Sequence, residues 1–285
     1  MNIVGIIAEY NPFHQGHARH LIQARRLTDA NCIIVVMSGN YVQRGTPAMF
    51  DKYIRAKAAL MQGADLVLEL PPCIATGSAE YFASGAVHLL AQTGIVTDLC
   101  FGSECNDPAV LQRLAQILIE EPASYRKWLQ EALRHGKSFP DARAQALRRY
   151  DPELPPRLLA SPNDLLGIEY LKALHRFRYK IQSHTIPRTG AAYHDQQLDR
   201  QTAASASGIR LALTESRGRF TPDIRAQLPS FHIYQFLEGK IPVTEDAFSL
   251  LLLERLLRDP KEPLDQYFGV TPELGNRIRN CLEDF

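Results

Sequence analysis

Two histidines and a glycine near the start of the chain, His14-x-Gly16-His17, carry its clearest chemistry. An apolar run, Ile3 to Ala8, precedes them and has the pattern of a short strand buried on both faces. Asn11-Pro12 cannot continue that strand and reads as a turn. An amphipathic helix follows at once. A strand, a tight loop and a helix N-terminus together make an anion site, because the helix start offers unpaired backbone N–H groups and a positive dipole end. Gly16 lets a ligand approach the backbone closely. Two imidazoles three residues apart, one in the loop and one in the first turn, can both face a phosphate. Taken alone, the same pair also fits a bland surface or a metal site.

The elements that must position these residues can be read along the chain. A helix is expected from about Gly16 to Leu27, with Leu21, Ile22, Ala24 and Leu27 as its apolar face and Arg19, Arg25 and Arg26 outside it. Cys32 to Met37 reads as a second apolar strand, ending at the turn Ser38-Gly39-Asn40. The next loop carries Gln43, Arg44 and Lys52, which could reach a ligand from the carboxyl edge of the sheet. A helix is expected from Phe50 to Gly63 and a strand from Asp65 to Leu70, ended by Pro71-Pro72. Ser78 should cap a helix running to Thr93, and Asp98 to Phe101 should form a fourth strand before Gly102-Ser103-Glu104. Helices then follow over Pro108 to Glu120, Ser124 to Arg134, Asp141 to Tyr150 and from Pro162. Tyr179 to Thr185 is the expected fifth strand, followed by Ile186-Pro187-Arg188.

This order implies an α/β fold: a doubly wound, parallel, five-stranded sheet with a helical insertion over about 106–178. The expected division is a catalytic domain over 1–220 and a helical C-terminal region over 221–285, packed on the sheet or against the middle helices, in which Ala247 to Leu257 is the most apolar piece.

Composition narrows the function classes. The 285 residues are 45% hydrophobic with a formal net charge of +1, so no global basic field announces nucleic acid. Arg143, Arg148, Arg149, Arg157, Arg176, Arg178 and Lys180 crowd the middle, as either a local basic surface or ordinary solvated helix faces. Five cysteines with no Cys-x-x-Cys pair read as reduced thiols of a cytoplasmic protein. No run approaches membrane-spanning length, and the chain opens directly on the first strand with nothing resembling a signal peptide.

Longer stretches sharpen the reading. A-E-Y-N-P-F-H-Q-G-H, V-M-S-G-N-Y-V-Q-R-G-T-P-A, G-A-D-L-V-L-E-L-P, S-A-E-Y-F-A-S-G-A-V, F-G-S-E, S-P-N-D-L-L-G-I-E-Y-L-K-A-L, I-P-R-T-G-A-A-Y-H-D and S-A-S-G-I-R occur in this order between Met1 and Arg210. Together they resemble the bacterial tRNA(Met) cytidine acetate ligase family, within the nucleotidyltransferase superfamily that shares its His-x-Gly-His motif with class I aminoacyl-tRNA synthetases. Ser205-x-Ser207-x-Ile209-Arg210 resembles that superfamily's second phosphate-contacting helix start.

The resemblance implies a Rossmann-like fold and ATP as substrate, with Mg²⁺ expected alongside it. It implies acetate activation to acetyl-adenylate, then acetylation of the wobble cytidine N4 of elongator tRNA(Met). His14 and His17 become the catalytic residues. Nucleotide contacts carry over to Ile7, Ala8, Glu9, Tyr10, Asn11, Pro12, Phe13, His14, Gln15, Gly16, His17 and His20, and to Gly102, Asn163 and Arg188. The residue types agree with those roles: a glycine for close approach, an amide that both donates and accepts, and a guanidinium for phosphate. No dedicated all-protein metal cage is expected, as is usual for Mg²⁺. Family members typically carry a basic Lys-Thr-Lys-Arg-Tyr-Thr-like stretch near their C-terminus, which this sequence lacks; that bears on tRNA engagement more than on ATP. Two competing readings use the same motifs: an adenylyltransferase for a phosphorylated cofactor precursor, and a non-catalytic ATP- or RNA-binding module.

Overall fold

Neighbouring residues of the apolar runs part to opposite sides of one sheet. The computed structural model describes residues 1–43, 45–155, 158–188, 204–258 and 263–282. Its strands are β1 (Ile3–Ala8), β2 (Cys32–Ser38), β3 (Leu66–Leu70), β4 (Asp98–Ser103) and β5 (Gln182–Pro187). They form one sheet in the order β3-β2-β1-β4-β5, and every pairing is parallel. In β1, β2 and β4, Ile3, Ile34, Val36 and Leu99 face one core, while Val4, Ile6, Ile33, Val35 and Cys100 face the other. Burial on both faces explains why these strands read as continuous apolar runs rather than alternating ones.

The helices are α1 (Gln15–Thr28), α2 (Lys52–Met61), α3 (Pro72–Ala75), α4 (Ala79–Gln92), α5 (Pro108–Glu120), α6 (Ala123–Arg134), α7 (Phe139–Tyr150), α8 (Pro162–Arg176), α9 (Ala206–Glu215), α10 (Pro222–Gln227), α11 (Ser249–Arg258) and α12 (Pro272–Asn280). Residues of α4, α5 and α8 fill the first core, and residues of α1, α2 and α9 fill the second. The expected doubly wound α/β architecture is therefore present.

Several boundaries differ from the sequence reading, each for a local reason. Asp51 caps α2 through its side chain, so that helix starts at Lys52 instead of Phe50. Pro71-Pro72 ends β3 but also opens the short α3, since proline suits a first helical turn. β4 runs on to Ser103, which puts Gly102 inside the strand, and β5 begins only at Gln182. In α1 the buried face is Ala18, Leu21, Ala24 and Thr28, while Ile22 and Leu27 are exposed. A helix between a sheet and solvent buries one stripe, and neither residue lies on it.

Packing beyond residue 220 is uneven. Phe220, Ile224, Leu228, Ile233 and Tyr234 join the second core. By contrast, no residue of α11 is buried. The run Leu250 to Leu253 covers every side of a helix, so docking one side leaves the others in solvent. Ring contacts of Phe248 with Tyr41 and of Phe268 with Tyr81 tie this region to the body.

Three of the seven mid-chain basic residues lie beside acidic partners. Arg143 lies 3.5 Å from Glu169, Arg149 3.2 Å from Glu131, and Arg176 2.9 Å from Glu80. Arg157 lies outside the described residues. All five cysteines are free thiols. No helix among the described residues is long and apolar enough to cross a membrane.

Candidate active site

Two histidines cap the N-terminus of the first helix. His14 is the N-cap of α1, with extended backbone, and its Nδ1 accepts from the Gly16 N–H at 3.0 Å. His17, at the third helical position, returns the arrangement: its Nδ1 accepts from the His14 N–H at 3.2 Å. This is the geometry of a capping box, usually built from a hydroxyl and a carboxylate, made here from two imidazoles. An accepting Nδ1 carries no proton, so each neutral ring holds its proton on Nε2. The rings stack with centroids 3.8 Å apart and planes 29° apart. The site thus offers two neutral N–H donors at a helix start, where the dipole already favours an anion.

The electrostatics keep them neutral. Burial pushes the His14 imidazole down from 6.5 to about 3, and the positive charge of Arg188 adds to the effect. His17 is held well below 6.5 by burial first, then by His14, His20 and Arg188. His20, one turn along α1, is lowered to about 4 by burial and Arg188. An uncharged donor on an enclosed ring suits a site that receives a highly charged ligand.

The loop between β1 and α1 is held by its own side chains. Tyr10 and Phe13 are buried and pack ring to ring at 4.7 Å, and Tyr10 lies 4.8 Å from the His17 ring. Tyr10 also has φ of 52°, an uncommon conformation for a residue with a side chain. The buried Asn11 accepts from the Met49 N–H at 2.8 Å through Oδ1, and the Asn11–Pro12 peptide is cis. Glu9 Oε1 accepts from the Gln43 N–H at 2.9 Å. Ile7 and Ala8 close β1 at mid-sheet, partly exposed, and Gln15 Nε2 reaches the Ala226 carbonyl at 3.4 Å. Tyr10, Asn11 and Phe13 therefore shape the loop from inside. Two buried atoms here, Tyr10 Oη and His20 Nε2, find no hydrogen-bond partner among the described residues.

Gly102, Asn163 and Arg188 gather around the end of β4. A Cβ on Gly102 would lie 3.3 Å from Arg188 Cγ, so a larger residue would press on the arginine. The Arg188 N–H donates to the Ser103 carbonyl at 3.1 Å. Asn163 Nδ2 donates to Glu104 Oε1 at 2.5 Å, and Arg188 Nε lies 3.8 Å from the same oxygen. Beneath them the fully buried Asp164 accepts from Ser103 Oγ at 2.5 Å, the Glu104 N–H at 3.0 Å and the Cys105 N–H at 3.1 Å. That carboxylate fixes the β4 loop onto the start of α8. Sequence reasoning quoted Glu104 and Asp164 within F-G-S-E and S-P-N-D but gave neither a role. Their signal was an acidic residue at a strand end and another at a helix start.

Other candidates fall differently. Lys52 Nζ is paired with Glu69 at 2.6 Å, so an acidic neighbour already holds the amine expected to reach a ligand. Ser205 caps α9 by accepting from the Gly208 N–H at 3.0 Å, and its Oγ lies 3.0 Å from that of Ser207. Arg210 Nη1 donates to the Asn11 carbonyl at 2.7 Å, which joins this second motif to the histidine loop. Arg44, and the part of I-P-R-T-G-A-A-Y-H-D after Arg188, lie outside the described residues. No cluster of potential metal ligands occurs among the described residues.

Comparison with known proteins places this geometry. A family model described as HIGH Nucleotidyl Transferase matches residues 1–285. The chain is 40% identical over 290 residues to a tRNA(Met) cytidine acetate ligase of Acetivibrio thermocellus, covering 99% of this chain and 70% of that one. It is 46% identical over 224 residues to one of Clostridium perfringens, covering 76% of this chain and 56% of that one. Among solved structures, apo TmcAL of Thermotoga maritima superposes with a TM-score of 0.89 at 40% identity, covering 100% of this chain and 69% of that one. The same protein bound with alpha-thio ATP matches with a TM-score of 0.86 at 39% identity, covering 100% of this chain and 68% of that one. The chain thus spans 56% to 70% of the length of these relatives.

Proposed function

This chain belongs to the tRNA(Met) cytidine acetate ligase family of HIGH nucleotidyl transferases, and from that premise we propose that it activates acetate with ATP and acetylates the wobble cytidine of elongator tRNA(Met). In the first step an acetate oxygen attacks the α-phosphorus. The bond from that phosphorus to the bridging oxygen breaks, and pyrophosphate leaves with the electron pair. In the second step the cytidine N4 amine attacks the acetyl carbonyl and loses a proton, while the acyl C–O bond breaks and AMP leaves. Acetate is already an anion, so no activated side-chain nucleophile is required.

The protein's part is positioning and charge stabilisation. His14 and His17 donate from Nε2 to phosphate oxygens as charge develops there. The positive dipole end of α1 adds to this, and Arg188 neutralises a phosphate. Gly102 leaves room for the nucleoside, and Asn163 offers it a donor and an acceptor. Ile7, Ala8, Glu9, Tyr10, Asn11, Pro12, Phe13, Gln15, Gly16 and His20 complete the nucleotide loop. Mg²⁺, when bound with the triphosphate, would offset part of its negative charge. The setting is the cytoplasm, where tRNA and ATP are found.

The observation that carries this reading is the reciprocal cap of His14 and His17, which leaves each ring's proton on Nε2 at a helix start within the electrostatic reach of Arg188. Its test is transfer of labelled acetate to tRNA by the 285-residue chain. Label is expected on elongator tRNA(Met) only when ATP is present, and on none of the transcripts whose wobble cytidine is replaced by uridine. ATP-independent labelling, or equal labelling of the uridine transcript, would contradict it.

A further inference from the structure

α6 lies in the crossover between β4 and β5 and has two unlike sides. It buries Tyr125 and Ala132, with Trp128 and Leu129 partly buried on the first core. Successive residues of a helix turn by about 100°, which puts these four on one side. On the opposite side the same rotation gathers Arg126, Lys127, Gln130 and Arg134 within an arc of about 100°. All four are exposed, and no acidic residue falls in the arc. Lys137, also exposed, follows in the turn after the helix.

These cations differ from their neighbours in the middle of the chain. Arg143, Arg149 and Arg176 each lie beside a carboxylate, and the single acid of α6, Glu131, is the one beside Arg149. Among the described residues, Arg126, Lys127, Arg134 and Lys137 take part in no ion pair. The chain as a whole is balanced, with 32 basic and 31 acidic residues, so a helix face of one sign is a local arrangement. An ordinary solvated face mixes the two signs. No acid of the fold offsets these four charges, and their field is open to an anionic ligand.

The shape of the stripe selects the kind of anion. Arg126 and Arg134 are eight residues apart, about 12 Å along the helix axis, too far for one phosphate to meet both. A chain of phosphates spans that distance. A bilayer would need apolar side chains beside the cations to enter it, and the apolar side of α6 is turned into the core. We propose that the solvent face of α6, with Lys137, is a docking surface for the phosphate backbone of the acceptor RNA. It lies on a helix separate from the nucleotide loop. This rests on the proposed function in taking tRNA as the acceptor.

The experiment compares tRNA binding by the wild type and by a variant carrying Arg126→Gln, Lys127→Gln, Arg134→Gln and Lys137→Gln. Glutamine keeps the helix and removes only charge. A control variant takes the same number of charges from exposed positions elsewhere, with Lys57→Gln, Arg219→Gln, Lys240→Gln and Arg277→Gln. Kd is measured over a range of salt concentrations. Each phosphate contact contributes roughly 0.7–0.9 to the slope of log Kd against log salt, so the α6 variant should lose about three from that slope and bind roughly tenfold more weakly or worse. The control should stay near the wild type. Acetate-dependent pyrophosphate exchange without tRNA should be the same in all three, since no substituted residue belongs to the nucleotide site. An α6 variant with the wild-type slope and affinity, or a control that loses as much, overturns the assignment. So does a loss confined to binding of anionic lipid vesicles, with tRNA binding intact. A wild type that binds no tRNA overturns the acceptor in the proposed function, and this inference with it.

Discussion

His14→Ala is expected to lower kcat for acetate-dependent pyrophosphate exchange by about 10²–10³, the usual cost of removing one preorganised donor to developing charge. His17→Ala should lose a similar factor. Both side chains also cap α1, so His14→Ala additionally costs about 1 kcal/mol of stability. His14→Asn separates the two effects. Asparagine is among the best N-cap residues and restores an acceptor for the Gly16 N–H, yet its shorter side chain does not reach where Nε2 stood. Its thermal midpoint should return towards that of the wild type while kcat stays low. Recovery of kcat together with stability would make these histidines structural.

The same imidazoles set a pH dependence. Their folded pKa values lie below 6.5, with His14 at about 3 and His20 at about 4. The unfolded chain therefore binds more protons as pH falls below about 6.5. The stability present above that pH is lost as pH drops towards 3–4, and the thermal midpoint should fall with it. Activity behaves differently, because kcat/KM for ATP reports groups of the free enzyme. Neither histidine changes charge between pH 6 and 8, so neither should place an inflection in that range. An inflection near 6.5 that disappears in His17→Ala would contradict the depressed values.

Arg55→Met is expected to destabilise the protein by roughly 3–5 kcal/mol, the range for breaking a buried charged hydrogen-bond set. Arg55 lies on α2 and is fully buried. Its Nε donates to the Phe50 carbonyl at 3.0 Å, and Nη1 to the carbonyls of Glu9 at 2.5 Å and Ser38 at 3.1 Å; Nη2 donates to the Gly39 carbonyl. One guanidinium thus ties the chain after β1 to the chain after β2. Burial lowers its pKa to about 10, so it remains charged at neutral pH. Methionine fills similar space but leaves four carbonyls without their donor. Arg55→Lys keeps the charge but cannot satisfy all four with one ammonium, and it should fall between. Denaturant melts check this, and a midpoint for Arg55→Met equal to the wild type would contradict it. Since Glu9 adjoins the histidine loop, the surviving folded protein should also bind ATP more weakly.

These particulars explain what was legible in the sequence. The sheet was readable because strands buried on both faces leave unbroken apolar runs, and helices such as α4 announce themselves by caps like Ser78. The histidine loop was readable because local spacing alone brings His14 and His17 together at one helix start. The long-range ties were not. Arg55 sits on a helix between Ile54 and Ala56, and a charged residue type gives no signal that it folds inward. The use of Asp164 as an anchor for the loop after β4 depends on residues about sixty positions away. Ile22 and Leu27 misled for the opposite reason: apolar type does not guarantee a place on the buried stripe.

Acetate-dependent exchange of labelled pyrophosphate into ATP, on the purified 285-residue chain without tRNA, tests the central claim most directly. Exchange that requires acetate and falls by about 10²–10³ in His14→Asn is the predicted result, because it reports reversible adenylate formation at the two imidazoles. Absence of exchange with acetate, both alone and with tRNA present, would contradict the account.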